Sequence, residues 1–360
     1  MKFSNHHSYC LTRALGLLLA LTLLPSLLPA QRLVAHRGSV PSSYNFWFYI
    51  PEAEPAAGTI SVPFSMTDSL AADGSNHSAA SLNKPLVVFL HGASLCGRKL
   101  SRVRSYGTLH AIDMGLRLDA YVLAPQNPGG AWNPAKVNQL IDWAEERYAI
   151  DTNRIYVLGM SLGGYGTIDY CAASSDRVAA AMALCGGATT NDVAGLCNMP
   201  MCIMHGTGDR DVSWQCSQSV VDIMRAKGDT SRLIYKLLPR QSHGALARYL
   251  YLPATYRWLF EHSLADRGRP VNRSYDFGIH VLDNVYAQIQ KPTRPLLVED
   301  AQKEGSDTAE TSGTHGVHVV RSGDSLSRIA QKHHTSVARL CRLNGLKRTS
   351  TLQLGQKVRY

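Results

Sequence analysis

The residues Gly159-Met160-Ser161-Leu162-Gly163-Gly164 could do chemistry, because they read Gly-x-Ser-x-Gly in a telling context. Before them, Arg154 to Leu158 is a β-branched and apolar run of strand length. After them, Tyr165 to Ala173 reads as a helix. A serine on a sharp strand-to-helix turn is a nucleophile held above a sheet. Flanking glycines suit such a turn, since side chains there would strike the neighbouring strand and helix. The helix N-terminus favours negative charge at the same spot. The bland alternative is a Gly-rich turn, so the rest of the chain must supply partners.

A serine hydroxyl needs a base, and the base needs an acid. The run Met201 to Val212 is a buried strand ending His205-Gly206, with Asp209 on the loop beyond. His243 follows the strand-like Arg232 to Leu237 and has the right intrinsic range for a base. A third apolar run, Pro85 to Leu90, ends His91-Gly92-Ala93. The backbone N–H groups of Leu162 and Ala93 are the candidate oxyanion donors, and losing one such donor costs on the order of 3 kcal/mol in a transition state. Asp211 competes with Asp209 for the acid role. His262 competes with His243, although its place at the end of a helical stretch from Leu246 fits a cap or a solvated ring better. His91 and His205 read as structural.

The order Ser161, Asp209, His243 is that of α/β-hydrolases, and residues of about 44–262 resemble that fold's esterase branch. The strand ending Leu90-His91-Gly92 and the Gly-x-Ser-x-Gly-Gly elbow are similar to feruloyl or acetyl-xylan esterases and polyhydroxybutyrate-depolymerase-like enzymes. His205-Gly206-x-x-Asp209-x-x-Val212 is similar to the acid loop of carboxylesterases and dienelactone hydrolases. Prolyl-oligopeptidase-type peptidases share much of the pattern but carry a β-propeller region that is not evident here. The resemblance implies a serine hydrolase working through an acyl-enzyme, with no cofactor and no metal. The alternatives are a peptidase of that kind, or a wall-binding protein whose hydrolase domain is inactive.

The elements that must position these residues fit a doubly wound, mostly parallel sheet. Asn45 to Ile50 and Ala120 to Ala124 are further strands, and Arg177 to Leu184 is another. Asn133-Pro134 opens a helix whose Val137, Leu140, Ile141, Ala144 and Tyr148 form one stripe. Residues 188–199 are too few for a large lid, which implies an open cleft. Trp132 and Trp214 are candidate substrate contacts; that both simply pack their loops is an equal alternative.

The ends differ in character. Lys2 and Arg13 precede an uncharged apolar run, Ala14 to Leu24, then Pro25 and Leu28-Pro29-Ala30. This is the pattern of a secretory signal over residues 1–30, with an uncleaved anchor as the alternative, and no other stretch is long enough to span a membrane. The protein is therefore expected in the periplasm, cell wall or extracellular space. The hydrolase domain is expected over 31–265. Residues 266–316 are expected as a linker, partly disordered; its second half, from Lys291, is rich in Pro, Glu, Asp, Ser, Thr and Gly. Gly278 to Val285 is the part that could add a strand or short helix. Among the cysteines, Cys197 and Cys202 are close enough in sequence to pair, while Cys171 and Cys185 read as buried thiols.

Residues 317–360 carry Gly323-Asp324-Ser325-Leu326, Asn344-Gly345-Leu346 and Leu352-Gln353-Leu354-Gly355-Gln356. They resemble a LysM domain: strand, helix capped by Ser325, helix capped by Thr335 or Ser336, strand. The resemblance implies binding of peptidoglycan or another N-acetylglucosamine-containing glycan, with Gly323, Asp324 and Ser325 bordering the sugar groove. The last strand is expected to fray at Tyr360. The whole chain has 37 Lys or Arg against 27 Asp or Glu. This C-terminal stretch holds nine of the basic residues and only Asp324 as acid, so it carries most of the positive excess. Such a domain is drawn to anionic surfaces. With an export signal and a glycan motif, nucleic acid is not the expected partner.

Overall fold

The computed structural model describes residues 31–52, 83–289, 296–301 and 316–360, apart from 334, 336, 348 and 349. The expected signal segment lies outside the described residues, as do 302–315 of the expected linker and Ser336, one of the two expected caps.

The first strands are β1 (Arg32–His36), β2 (Asn45–Ile50), β3 (Lys84–Leu90), β4 (Tyr121–Gln126) and β5 (Ile150–Met160). They are followed by β6 (Ala180–Leu184), β7 (Met201–Gly206), β8 (Leu233–Leu238) and β9 (Leu297–Asp300). All nine join one sheet in the order β8-β7-β6-β5-β3-β4-β2-β1-β9. From β8 to β4 every pairing is parallel. β2 runs antiparallel to both β4 and β1. Strands buried on both faces read as continuous apolar runs, as these do. In β3 the alternation sends Val87 and Phe89 to one core and Leu86, Val88 and Leu90 to the other. The architecture is therefore a doubly wound α/β sheet.

Helices cover both faces: α1 (Thr108–Met114), α2 (Pro134–Arg147), α3 (Leu162–Ala173), α4 (Gln215–Lys227), α5 (His243–Leu246) and α6 (Pro253–Phe260). Asn133 caps α2, its Oδ1 accepting from Ala135 N at 2.9 Å and Lys136 N at 3.2 Å. Val137, Leu140, Ile141 and Ala144 of the stripe are buried, and Tyr148 packs against them half-exposed. The stretch before His262 is broken into α5, a 3-10 turn at Ala247–Tyr251, and α6.

The linker expectation needs correction. Leu297–Asp300 is an edge strand, parallel to β1 and tied to it by Arg32–Glu299 and Arg37–Asp300 ion pairs. Upstream, 3-10 turns at Ile279–Leu282 and Val285–Gln288 carry Leu282 and Val285 into the core, beside the buried Phe277 and Ile289. Polar composition hid a strand whose stability comes from its partner, not from its own pattern. Cys197 and Cys202, close enough in sequence to pair, do not: the described cysteines are free thiols.

The C-terminal unit pairs β10 (Val317–Val319) with β11 (Lys357–Arg359), antiparallel, around α7 (Leu326–Lys332) and α8 (Val337–Asn344). Val320, Leu326, Ile329, Leu340 and Val358 form its core. Ser325 Oγ accepts from Arg328 N at 3.2 Å, capping α7. The last strand does not fray, since Tyr360 N donates to Gly316 O at 3.0 Å. No helix among the described residues is long and apolar enough to cross a membrane.

Candidate active site

Ser161 sits between β5 and α3 with φ +59° and ψ −124°, a conformation non-glycine residues avoid. Two backbone bonds fix it there: its N–H donates to Leu184 O at 2.9 Å, and its carbonyl accepts from Tyr165 N at 3.0 Å. The elbow is tight enough that a Cβ on Gly163 would lie 1.8 Å from Leu90 O, so only glycine fits. β3 has one sequence-successive neighbour, β4, and on its other side β5, so the winding reverses there. Ligands in open α/β sheets bind in the crevice that such a reversal leaves beyond the strand ends. Ser161 lies on one side of it and Ala93 on the other. Neither Leu162 N nor Ala93 N is hydrogen-bonded to another described group.

Asp209 follows β7 and His243 opens α5 beyond β8, so adjacent parallel strands bring them together. His243 Nδ1 donates to Asp209 Oδ2 at 2.6 Å. The other oxygen, Oδ1, accepts from Asp211 N and Val212 N, each at 2.9 Å. Burial pushes this carboxyl up, but the Val212 and Asp211 N–H groups and His243 outweigh it and hold the group below its usual range. Asp211 contributes its backbone N–H and leaves its side chain exposed. Among the described residues no hydrogen bond joins Ser161 Oγ to His243. Contacts of this kind commonly tighten only with substrate in place.

The other candidate histidines, His91, His205 and His262, are buried and engaged. His91 donates from Nδ1 to Gly92 O at 2.8 Å and accepts at Nε2 from Asn127 N at 3.0 Å; burial lowers it to about 4. His205 has Ser217 Oγ 2.8 Å from Nδ1, while Nε2 faces Val212 O at 3.0 Å and Asp209 Oδ2 at 3.2 Å. Two acceptors at Nε2 place its proton there, and burial lowers the ring's pKa. His262 caps α6 and is not solvated: it is buried, with Nδ1 donating to Trp258 O, one of the helix's last carbonyls, at 2.8 Å and Nε2 accepting from Asn272 N at 3.2 Å.

Of the two candidate substrate contacts, Trp132 packs its loop. It is buried, donates from Nε1 to His91 O at 3.3 Å and packs edge-on against Tyr44 and His91. Trp214 is half-buried, immediately before α4. In the sequence Cys185 reads only as a core thiol. It lies at the end of β6, between the strands bearing Ser161 and Asp209, at φ +50°. Burial, then the Asp209 carboxylate beside it, push its thiol far above the usual range. A non-glycine residue after a buried strand that must turn sharply was the available signal. Cys185, His205 and Asp209 have ligand-type atoms within 4.8 Å of one another, as do Asp209, Asp211 and His243. Both sets share Asp209, whose oxygens already accept the bonds given above.

In the C-terminal unit, Asp324 Oδ2 accepts from Arg321 N at 2.7 Å and from His318 Nε2 at 2.8 Å. With Ser325 capping α7, both polar side chains of the expected groove are occupied within the unit. Gly323, at φ +86°, leaves backbone rather than side chain at that border.

Residues 318–359 match the family model described as LysM domain. A 64-residue stretch is 41% identical to the uncharacterized lipoprotein YgeR of Escherichia coli strain K12, covering 18% of this chain and 25% of that protein. The chain thus spans about a quarter of the length of the curated relative it matches. Among solved structures, a thermostable esterase is similar at 23% identity and TM-score 0.47, over 64% of this chain and 63% of that one. A feruloyl esterase module from Clostridium thermocellum is similar at 15% identity and TM-score 0.44, over 69% and 92%.

Proposed function

We propose that the chain is an exported serine hydrolase, a carboxylic ester hydrolase, held at peptidoglycan by residues 318–359. The observation that carries the catalytic half is the 2.6 Å bond from His243 to Asp209 beside a serine held at positive φ. Asp209 fixes the His243 proton on Nδ1, which leaves Nε2 as an acceptor. Ser161 Oγ attacks the ester carbonyl while Nε2 takes its proton, and the oxyanion forms against the N–H groups of Leu162 and Ala93. His243 then protonates the leaving alcohol. Water repeats the sequence on the acyl-enzyme and frees the acid. An acyl group on polysaccharide, acetyl or feruloyl, is the substrate class that suits an enzyme held at a glycan.

The LysM match supports the glycan half, and the lipoprotein relative agrees with a place in the cell envelope. The test has two arms on the full chain. A fluorophosphonate probe should label the wild type and not Ser161→Ala, and labelling of both removes the catalytic claim. Ser161→Ala should still co-sediment with insoluble peptidoglycan at raised salt, where charge attraction is screened within a few ångströms. Loss of co-sedimentation at raised salt, or indifference to N-acetylglucosamine oligomers, removes the tether.

A further inference from the structure

Gly92 N–H would be a third backbone donor at the site, but it is already taken. It donates to Tyr106 Oη at 2.8 Å. The tyrosine comes from the 3-10 segment Leu100–Arg104 and the turn that follows it, fourteen residues further along the chain. A Cβ added to Gly92 would lie 2.5 Å from Tyr106 Oη and 3.2 Å from Ser161 Cβ. The phenol oxygen and the nucleophile's side chain therefore flank one Cβ-sized space. The glycine of the His-Gly pair keeps that space open.

Tyr106 is also held in place from behind. Gly107, at φ +85°, donates its N–H to Tyr251 Oη at 3.1 Å, and His110 Nδ1 lies 2.9 Å from the same oxygen. Ser94 and Cys96 are the other polar and titratable side chains around the phenol. Burial pushes the phenol up, more than Gly92 N–H and Ser94 pull it down, so it stays protonated at neutral pH. An oxygen that accepts the Gly92 N–H keeps its own proton to give, and accepting strengthens it as a donor.

We propose that the Tyr106 hydroxyl is a further oxyanion donor, acting with Leu162 N–H and Ala93 N–H on the tetrahedral centre formed at Ser161. This rests on the serine-hydrolase reading. The tyrosine side chain supplies what the Gly92 peptide cannot, because that peptide's N–H is spent in orienting the phenol.

Tyr106→Phe keeps the ring and removes the donor. It should lower kcat and kcat/KM together by about 10²-fold on a soluble ester, as loss of one such donor does, with KM nearly unchanged. Affinity for a boronic acid that mimics the tetrahedral centre should fall in parallel. A fluorinated tyrosine at 106 keeps the acceptor for Gly92 N–H and makes the phenol more acidic. It should move the alkaline limb of the kcat profile to lower pH, which a residue that only pins Gly92 would not do. Unchanged kcat in Tyr106→Phe, or an alkaline limb that stays put, overturns the proposal. If Tyr106→Phe does not fold, the fluorotyrosine protein decides alone. Ser161→Ala separates the two levels. Turnover surviving that change sinks the serine reading itself, whereas a dead Ser161→Ala beside a fully active Tyr106→Phe sinks only the role of Tyr106.

Discussion

Asp209→Asn is the sharpest perturbation, because four donors converge on that carboxylate. Oδ1 takes the N–H groups of Asp211 and Val212, and Oδ2 faces Nδ1 of His243 and Nε2 of His205. An asparagine has one acceptor atom and one donor atom. Its oxygen must stay with the two backbone N–H groups, which cannot rotate away. The amide NH₂ then faces His243 Nδ1 and His205 Nε2. A donor opposite Nδ1 forces the His243 proton onto Nε2, so the atom meant to take the serine proton already carries one. In the chymotrypsin-type triad that exchange costs about 10⁴-fold in kcat, which is about 5.4 kcal/mol at 1.36 kcal/mol per decade. The assay is kcat on an activated ester across pH, with ¹⁵N shifts of His243 reporting the tautomer. Asp211→Asn should stay within about twofold, since the donor is its backbone and its side chain is exposed. An Asp209→Asn enzyme within tenfold of wild type, or a His243 tautomer that does not change, would refute this account of the acid.

Ser161→Gly should be as inactive as Ser161→Ala yet more stable, by about 1 kcal/mol or more, because glycine carries no penalty at φ +59°; equal Tm values for the two variants count against a strained elbow. Gly163→Ala should fail to reach the native fold in expression trials, its Cβ falling 1.8 Å from Leu90 O; a soluble, fully active variant contradicts the packing described. His91 and His36 are both lowered to about 4 from 6.5 by burial, so the unfolded chain binds the extra protons first as pH falls. Stability is then complete above about pH 6.5 and is lost between 6.5 and 4, by roughly 2–3 kcal/mol for each ring; urea midpoints at pH 7 and pH 4.5 should differ, and His91→Gln should narrow the gap. A chain ending after Ala301 should keep ester turnover but lose binding to peptidoglycan, whereas one ending at residue 295 removes β9 and should melt lower, as calorimetry of the two can read.

What the sequence determined on its own was what short stretches of backbone decide. The serine elbow was legible because a turn between a strand and a helix that close admits only glycine, and Gly159, Gly163 and Gly164 stand at the required spacing. The parallel strands were legible because burial on both faces leaves continuous apolar runs. The LysM segment was legible because its turns and caps fall at fixed offsets, Ser325 among them. Tertiary structure decided whatever depends on partners far along the chain. β9 is a strand because β1, more than 260 residues earlier, offers it a free edge and two arginines. Trp132 is a packing residue because Tyr44 and His91 close over it. The side chain of Asp209 rather than Asp211 meets His243 because the turn spends the Asp211 N–H on the Asp209 carboxylate. The approach of Cys185 to Asp209, and of Tyr106 to Gly92, has no periodicity behind it. Such contacts are fixed by how the loops after separate strands crowd one end of the sheet, and no local pattern encodes that crowding.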